Sequence, residues 1–116
     1  MGTITTHALD TSLGHPARGL PLRLEAYIGS QDAWMPVKDA VTNDDGRVDA
    51  FTDDVQIVAG IYRVTFDTET YFRSTEGIDR WFYPYVTIVF EIDDPTAHFH
   101  IPLLISPFGY STYRGS

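Results

Sequence analysis

The amino-acid sequence predicts an all-β domain of the sandwich type. Apolar and polar residues alternate over much of the chain, which is the period expected of strands with one buried and one exposed face. Clusters of Gly, Pro, Asn and Asp separate the alternating stretches at short intervals. Many short strands joined by such turns are typical of two packed sheets. The 116 residues are expected to form a single domain, 1–116.

The alternation and the turns together predict seven or eight strands. These cover residues 3–9, 20–28, 35–42, 47–51, 60–67, 84–92, 97–106 and 109–115. The dipeptide Asp45-Gly46 predicts a tight hairpin turn with positive φ between two of them. Residues 68–76 are predicted to form one short helix.

Composition excludes several classes of function. The formal net charge is −8, so a nucleic acid or an anionic membrane is not expected as a partner. The chain contains no cysteine, which excludes disulfides, thiolate catalysis and zinc ribbons. No apolar stretch approaches the roughly 20 residues of a membrane span. No signal-peptide pattern precedes the first strand, so a cytoplasmic location is expected, and a periplasmic or peroxisomal native form stays open.

The predicted strand 97–106 carries the most informative pattern. Its core face is wholly apolar and consists of Phe99, Ile101, Leu103 and Ile105. His98 and His100 then point outward. Such a pair can be a solvated strand face, two metal ligands that await a third, or an acid/base pair in a cleft. Spacing alone favours the solvated face, because short motifs have low specificity.

Two further residues could join the histidine pair. His7 in the segment TTHALD points outward from the predicted strand 3–9, although a single outward histidine is most often plain surface. Arg47 follows the Asp45-Gly46 turn, and this position alone favours a surface cation beside a hairpin. The surrounding segment is not a calcium loop, because Val41 and Thr52 fall where its outer ligands should be.

Together these segments resemble the transthyretin-like family, and within it the branch that hydrolyses 5-hydroxyisourate. The resemblance rests on TTHALD, on Asp45-Gly46-Arg47, on the His98-x-His100 strand and on the terminal Tyr-Arg-Gly-Ser, and it covers nearly the whole chain. The family implies two four-stranded sheets with one short helix. It also implies a homotetramer, formed as a dimer of dimers, with active sites in a channel between the dimers.

The resemblance also implies a reaction and a set of site residues. Water would attack a ring amide carbonyl of 5-hydroxyisourate, with no metal or other cofactor. His7 and His100 would divide the acid and base work, and Arg47 would hold the ring and stabilise negative charge. Tyr113 and the terminal Ser116 would position water or substrate. His98 is a second choice as a substrate contact, in a role that orients its neighbour.

Two other classes of function stay open. A transthyretin-like carrier would bind a small ligand without turnover, although a charged, histidine-lined channel suits a polar heterocycle better than an apolar hormone. A zinc-dependent hydrolase would use His7, His98 and His100 as ligands and leave an open tetrahedral position. The zinc enzyme ranks last, because the full set of motifs matches a metal-free enzyme.

Overall fold

Two four-stranded sheets form the protein, and one short helix follows the fifth strand. The computed structural model describes residues 2–115. The elements are β1 (Thr3–Asp10), β2 (His15–Pro16), β3 (Pro21–Ile28), β4 (Ala33–Val41), β5 (Gly60–Phe66), α1 (Thr68–Arg73), β6 (Val86–Ile92), β7 (His98–Ser106) and β8 (Gly109–Thr112). Sheet 1 has the order β2-β1-β7-β8, and sheet 2 has the order β4-β3-β5-β6. The predicted fold class, an all-β sandwich of two four-stranded sheets with one short helix, is confirmed.

The core lies between the two sheets and is built from the alternating apolar faces. Sheet 1 contributes Ile4 and Ala8 of β1 and four apolar residues of β7, all at most 6% exposed. Sheet 2 contributes the apolar positions of β3, β5 and β6, among them Leu24, Val64 and Phe66, each 0% exposed. The predicted inward faces of β1 and β7 are therefore correct. Burial of these side chains is the main stabilising contribution to the sandwich.

The two central strands of sheet 1 run parallel. β1 and β7 pair over their whole length, with Thr3 opposite His98 and Asp10 opposite Ile105. Two parallel strands need a long connection between them. Here the chain between β1 and β7 contains all four strands of sheet 2. The first and the penultimate strand of the chain therefore lie side by side at the centre of one sheet.

The prediction of a strand at 47–51 is wrong. Arg47 makes one isolated bridge, and the chain then turns, with Ala50 at a φ of 51°. Phe51 and Thr52 are buried in this turn. Both side chains therefore pack in the core, although the backbone forms no strand ladder there. Sheet 1 instead takes its edge strand from His15–Pro16, which the sequence places in a turn.

The helix and the last strand end earlier than predicted. α1 ends at Arg73 because Ser74 caps it, its N–H donating to carbonyls of the last turn. β8 ends at Thr112, although Gly115 forms one further bridge to His100. In residues 2–115 there is no helix with the length and apolar character needed to cross a membrane.

A buried carboxylate ties the end of β1 to the helix. Asp10 is 1% exposed and accepts hydrogen bonds from the N–H groups of Ser12 and Leu13 and from the Ser12 hydroxyl. Its other oxygen accepts a 2.6 Å hydrogen bond from the Tyr71 hydroxyl. Burial, followed by this hydrogen bond, raises the pKa of Tyr71. Every oxygen of this buried group is thus satisfied, as burial of a carboxylate requires.

Replacement of Tyr71 by Phe is expected to lower the free energy of unfolding by about 1–3 kcal/mol, since one oxygen of the buried Asp10 loses its donor. The measurement is urea unfolding at a fixed protein concentration. Tyr85→Phe is the matched control, because Tyr85 is 63% exposed and its loss of a hydroxyl should cost within about 0.5 kcal/mol. Equal effects of the two substitutions would contradict this assignment.

Candidate active site

The outward faces of β1 and β7 bring three polar side chains into direct contact. Because the strands are parallel, Thr5 lies opposite His100. The Thr5 hydroxyl oxygen is 2.7 Å from Nε2 of His98 and 2.8 Å from Nδ1 of His100. The centroids of the two imidazole rings are 6.3 Å apart. His98 is exposed and His100 is half-buried, so the two rings occupy different environments.

A tight turn places Arg47 beside His7. The Asn43 side-chain oxygen accepts hydrogen bonds from the N–H groups of Asp45 and Arg47, and the Asn43 N–H donates to the Arg47 carbonyl at 2.7 Å. This closed turn bridges to β1, where Arg47 pairs with His7. The cation therefore reaches the histidine face from a loop whose backbone is fixed by its own hydrogen bonds.

Only glycine fits at position 46, where the turn comes closest to β1. Its φ is +75°, in the left-handed region, as the Asp45-Gly46 pattern predicts. Its carbonyl accepts a 2.8 Å hydrogen bond from the Ala8 N–H, and a Cβ at position 46 would collide with the Ala8 carbonyl oxygen. The glycine thus allows the turn to lie flat on β1, next to His7.

Burial and nearby positive charge disfavour the protonated form of His100. Burial lowers the pKa of His100, and the charges of Arg47, His98 and His7 lower the pKa further. None of the five ion pairs between residues 2–115 includes Arg47. A neutral imidazole can accept a proton, and a guanidinium without a carboxylate partner can stabilise a developing negative charge.

The C-terminal segment packs against the His100 ring. The N–H of Gly115 donates a 3.0 Å hydrogen bond to the His100 carbonyl. A Cβ at position 115 would collide with ring carbons Cδ2 and Cγ of His100. The glycine of Tyr-Arg-Gly-Ser is therefore the residue that lets the backbone lie against the imidazole, and it restricts the motion of that ring.

Four of the six predicted site residues lie together in the structure. His7, Arg47, His98 and His100 are brought together on the outer face of sheet 1. Ser116, predicted to be catalytic, lies outside the described residues. His15 lies at the opposite end of β1, where it pairs with Asp10, and it stays apart from the cluster.

Tyr113 lies at a different cleft. It is 62% exposed and lines an opening of about 350 Å³ between the sheets, together with β6 residues such as Val89 and with Phe99 of β7. The neighbouring Arg114 lines the same cleft, and its guanidinium carbon is 5.1 Å from the centre of the Phe99 ring. A substrate contact by Tyr113 stays a prediction.

Sequence reasoning missed Thr5, Asn43 and Gly115 as parts of the site. A Thr on a strand is ordinary, because its β-branched side chain suits the pleated surface. Its contact with both histidines depends on the parallel pairing of β1 with β7, which the sequence pattern does not specify. Asn43 could have been found, since Asn three residues ahead of a Gly-Arg pair is typical of a turn closed by its own side chain.

A larger concavity lies on the outer face of sheet 2, but its arginines are already paired with carboxylates. It has a volume of about 1080 Å³. Its Arg23 is paired bidentately with Asp39, and its Arg63 donates to Glu25 at 2.8 Å. Each cation is already matched by a carboxylate, so neither is available to stabilise new negative charge. The cluster on sheet 1 is therefore the candidate active site.

Replacement of Arg47 by Gln is expected to raise the pKa of His100 towards its ordinary value, because a positive charge that disfavours the imidazolium is removed. The measurement is an NMR titration of the His100 ring protons. Arg18→Gln is the control, since Arg18 pairs with Asp44 and is not among the charges that act on His100. An unchanged or lower pKa of His100 in the Arg47 variant would contradict the electrostatic assignment.

Comparison with known proteins agrees with this fold. Residues 4–115 match the model of the Transthyretin family, described as the HIUase/Transthyretin family. The 5-hydroxyisourate hydrolase of Mus musculus is 47% identical over 113 residues, which is 97% of this chain and 94% of that protein. The structure of Klebsiella pneumoniae 5-hydroxyisourate hydrolase superposes with a TM-score of 0.82 at 36% identity, covering 98% of this chain and 99% of the other. Sea bream transthyretin in complex with thyroxine gives 0.87 at 29% identity, covering 97% and 93%. The chain belongs to the HIUase/transthyretin family.

Proposed function

We propose that this protein hydrolyses 5-hydroxyisourate to 2-oxo-4-hydroxy-4-carboxy-5-ureidoimidazoline, a step of urate degradation. The observation that carries the proposal is the cluster on the outer face of sheet 1. There His100, whose pKa is lowered, lies near His7 and near an Arg47 that pairs with no carboxylate of residues 2–115. Relatives that carry the name 5-hydroxyisourate hydrolase, at 36% identity or more, support the same reaction.

The geometry suits the hydrolysis of a cyclic amide. Attack by water on the ring carbonyl requires a base that takes a proton from the water. The carbonyl oxygen then becomes negative, and the ring nitrogen must gain a proton as the C–N bond breaks. Two imidazoles can divide these proton transfers, and Arg47 can stabilise the oxyanion and hold the polar ring by paired hydrogen bonds. The lowered pKa of His100 favours the form that can accept the first proton.

The remaining predicted site residues complete the proposal. His98 acts through its neighbour rather than on the reacting atoms, since its Nε2 contacts the Thr5 hydroxyl that also contacts His100. Tyr113 and Ser116 position substrate or water from the C-terminal segment. No cofactor takes part. Among residues 2–115 there is no group of three His, Asp or Glu side chains arranged to hold a metal ion.

The direct test is to add the protein to freshly generated 5-hydroxyisourate and to follow its ultraviolet decay. His100→Asn is expected to lower the catalysed rate about 100-fold or more, since it removes a positioned proton acceptor. His15→Asn is the matched control, because His15 is exposed and lies away from the cluster. Exhaustive chelation is expected to leave the rate unchanged.

Three outcomes would contradict the proposal. Binding of the substrate without acceleration of its decay would favour a carrier. Loss of activity on chelation, with recovery on addition of zinc, would favour the zinc-dependent mechanism. Equal losses in the His100 and His15 variants would show that the cluster is not the site.

The protein is further proposed to work as a homotetramer, a dimer of dimers. β6 and β8 are both edge strands, and they lie on the same side of the sandwich, around the cleft that contains Tyr113. Edge strands with exposed apolar side chains, such as Val89 and Tyr110, are typical of strand pairing between two copies. Leu9 and Leu104 lie beside the histidines on the outer face of sheet 1, which suits packing of a second dimer there.

The expected mass by light scattering at micromolar concentration is about four times 13.1 kDa. The apolar edges and the apolar residues around the histidines are the physical reason, because water would otherwise contact them. A fully active species with the mass of a monomer would contradict the proposed assembly.

A further inference from the structure

We propose that Thr5 is a positioning residue that ties the proton position on His100 to the proton position on His98. The inference rests on the proposed function, because it names the group that determines whether His100 can accept a proton from water. It concerns a side chain that does not act on the substrate. Its effect is transmitted through the Nδ1 atom of His100.

The contact geometry is the first step. The Thr5 hydroxyl oxygen lies 2.7 Å from Nε2 of His98 and 2.8 Å from Nδ1 of His100. Both distances are those of good hydrogen bonds. One hydroxyl therefore serves both rings at once, and it uses the ε nitrogen of one ring and the δ nitrogen of the other.

The number of protons is the second step. A hydroxyl has one hydrogen to donate and two lone pairs with which to accept. Among residues 2–115 the recorded hydrogen-bond partners of the Thr5 hydroxyl are these two rings, so its hydrogen goes to one ring and it accepts from the other. If Thr5 donates to His98, then Nδ1–H of His100 donates to Thr5, and both neutral rings carry their proton on Nδ1. If Thr5 donates to His100, then Nε2–H of His98 donates to Thr5, and both rings carry it on Nε2. In one mixed pair a contact has no hydrogen, and in the other both rings donate and the Thr5 hydrogen has no recorded acceptor among residues 2–115.

The consequence for chemistry follows from the free nitrogen of His100. In the first arrangement, Nε2 of His100 has a lone pair and can accept a proton. In the second arrangement, Nε2 carries hydrogen and can only donate. Protonation of His98 places a hydrogen on its Nε2, so it selects the second arrangement and removes the lone pair from His100. His98 thus controls its neighbour without contacting the substrate.

The charged and titratable groups that act on His100 leave this coupling intact. From β1 and the turn after β4 come His7 and Arg47, which act as positive charges. From the other side comes the backbone of Gly115, which has no side chain to titrate. Among residues 2–115, Thr5 is the side chain recorded in hydrogen-bond contact with either ring of the pair.

The test is nitrogen-15 NMR of the two imidazoles in the unliganded protein, at a pH where both are neutral. The fraction of each ring with its proton on Nε2 is expected to be the same for His98 and His100 in the wild type. Thr5→Val keeps the β-branched shape but removes the hydroxyl, and the two fractions should become unequal. Thr5→Ser keeps the hydroxyl and should restore equality. Thr3→Val is the control on the same face and should change nothing.

Unequal fractions in the wild type would overturn the proposal, and so would equal fractions that persist in Thr5→Val. The wild-type reading alone is decisive if the valine variant fails to fold. No substrate is present, so the result does not depend on whether the proposed hydrolysis is correct. With 5-hydroxyisourate as substrate, kcat of Thr5→Val is expected to fall about 10- to 100-fold with little change in KM. The substitution keeps the base His100 but removes the group that positions its proton, so only a part of the rate enhancement by that base is lost. An unchanged kcat would overturn the proposed role in catalysis.

Discussion

Thr5 and His100 are 95 residues apart in sequence, and they meet because β1 and β7 pair in parallel at the centre of one sheet. The inner faces of the two strands fix their orientation, since Ile4 and Ala8 of β1 and Phe99 of β7 are buried in the core. A shift of one residue in either strand would turn its polar face into the core. Each buried polar group without a partner would then cost about 1–3 kcal/mol. The burial that stabilises the sandwich therefore also determines the geometry of the site.

The site depends on a second constraint, which is the close approach of loops to this strand pair. Gly46 lies against β1 and Gly115 lies against the His100 ring, and in both places a Cβ would collide with its neighbour. These approaches half-bury His100 and bring Arg47 near it, and both effects lower the pKa of the imidazole. Both effects favour the form of His100 that can accept a proton. Packing and chemistry are linked through this one ring.

The sequence could predict the faces of the strands but not which strands are neighbours. Alternation assigned His7 and His100 to the outside, because a period of two depends only on local residues. The role of Thr5 depends on a partner 95 residues away, and no local pattern contains that information. The wrong strand at 47–51 has a different cause. Burial of Phe51 in a turn gives an apolar position that resembles a strand in sequence, although no ladder forms there.

We propose that the substrate binds to the outer face of sheet 1 and not in the larger concavity on sheet 2. The most direct measurement is NMR mapping of amide shifts on addition of a stable cyclic ureide that resembles the substrate but is not hydrolysed. We expect the largest amide shifts at His7, Arg47 and His100. Largest shifts at Arg23 and Arg63, on the outer face of sheet 2, would contradict it.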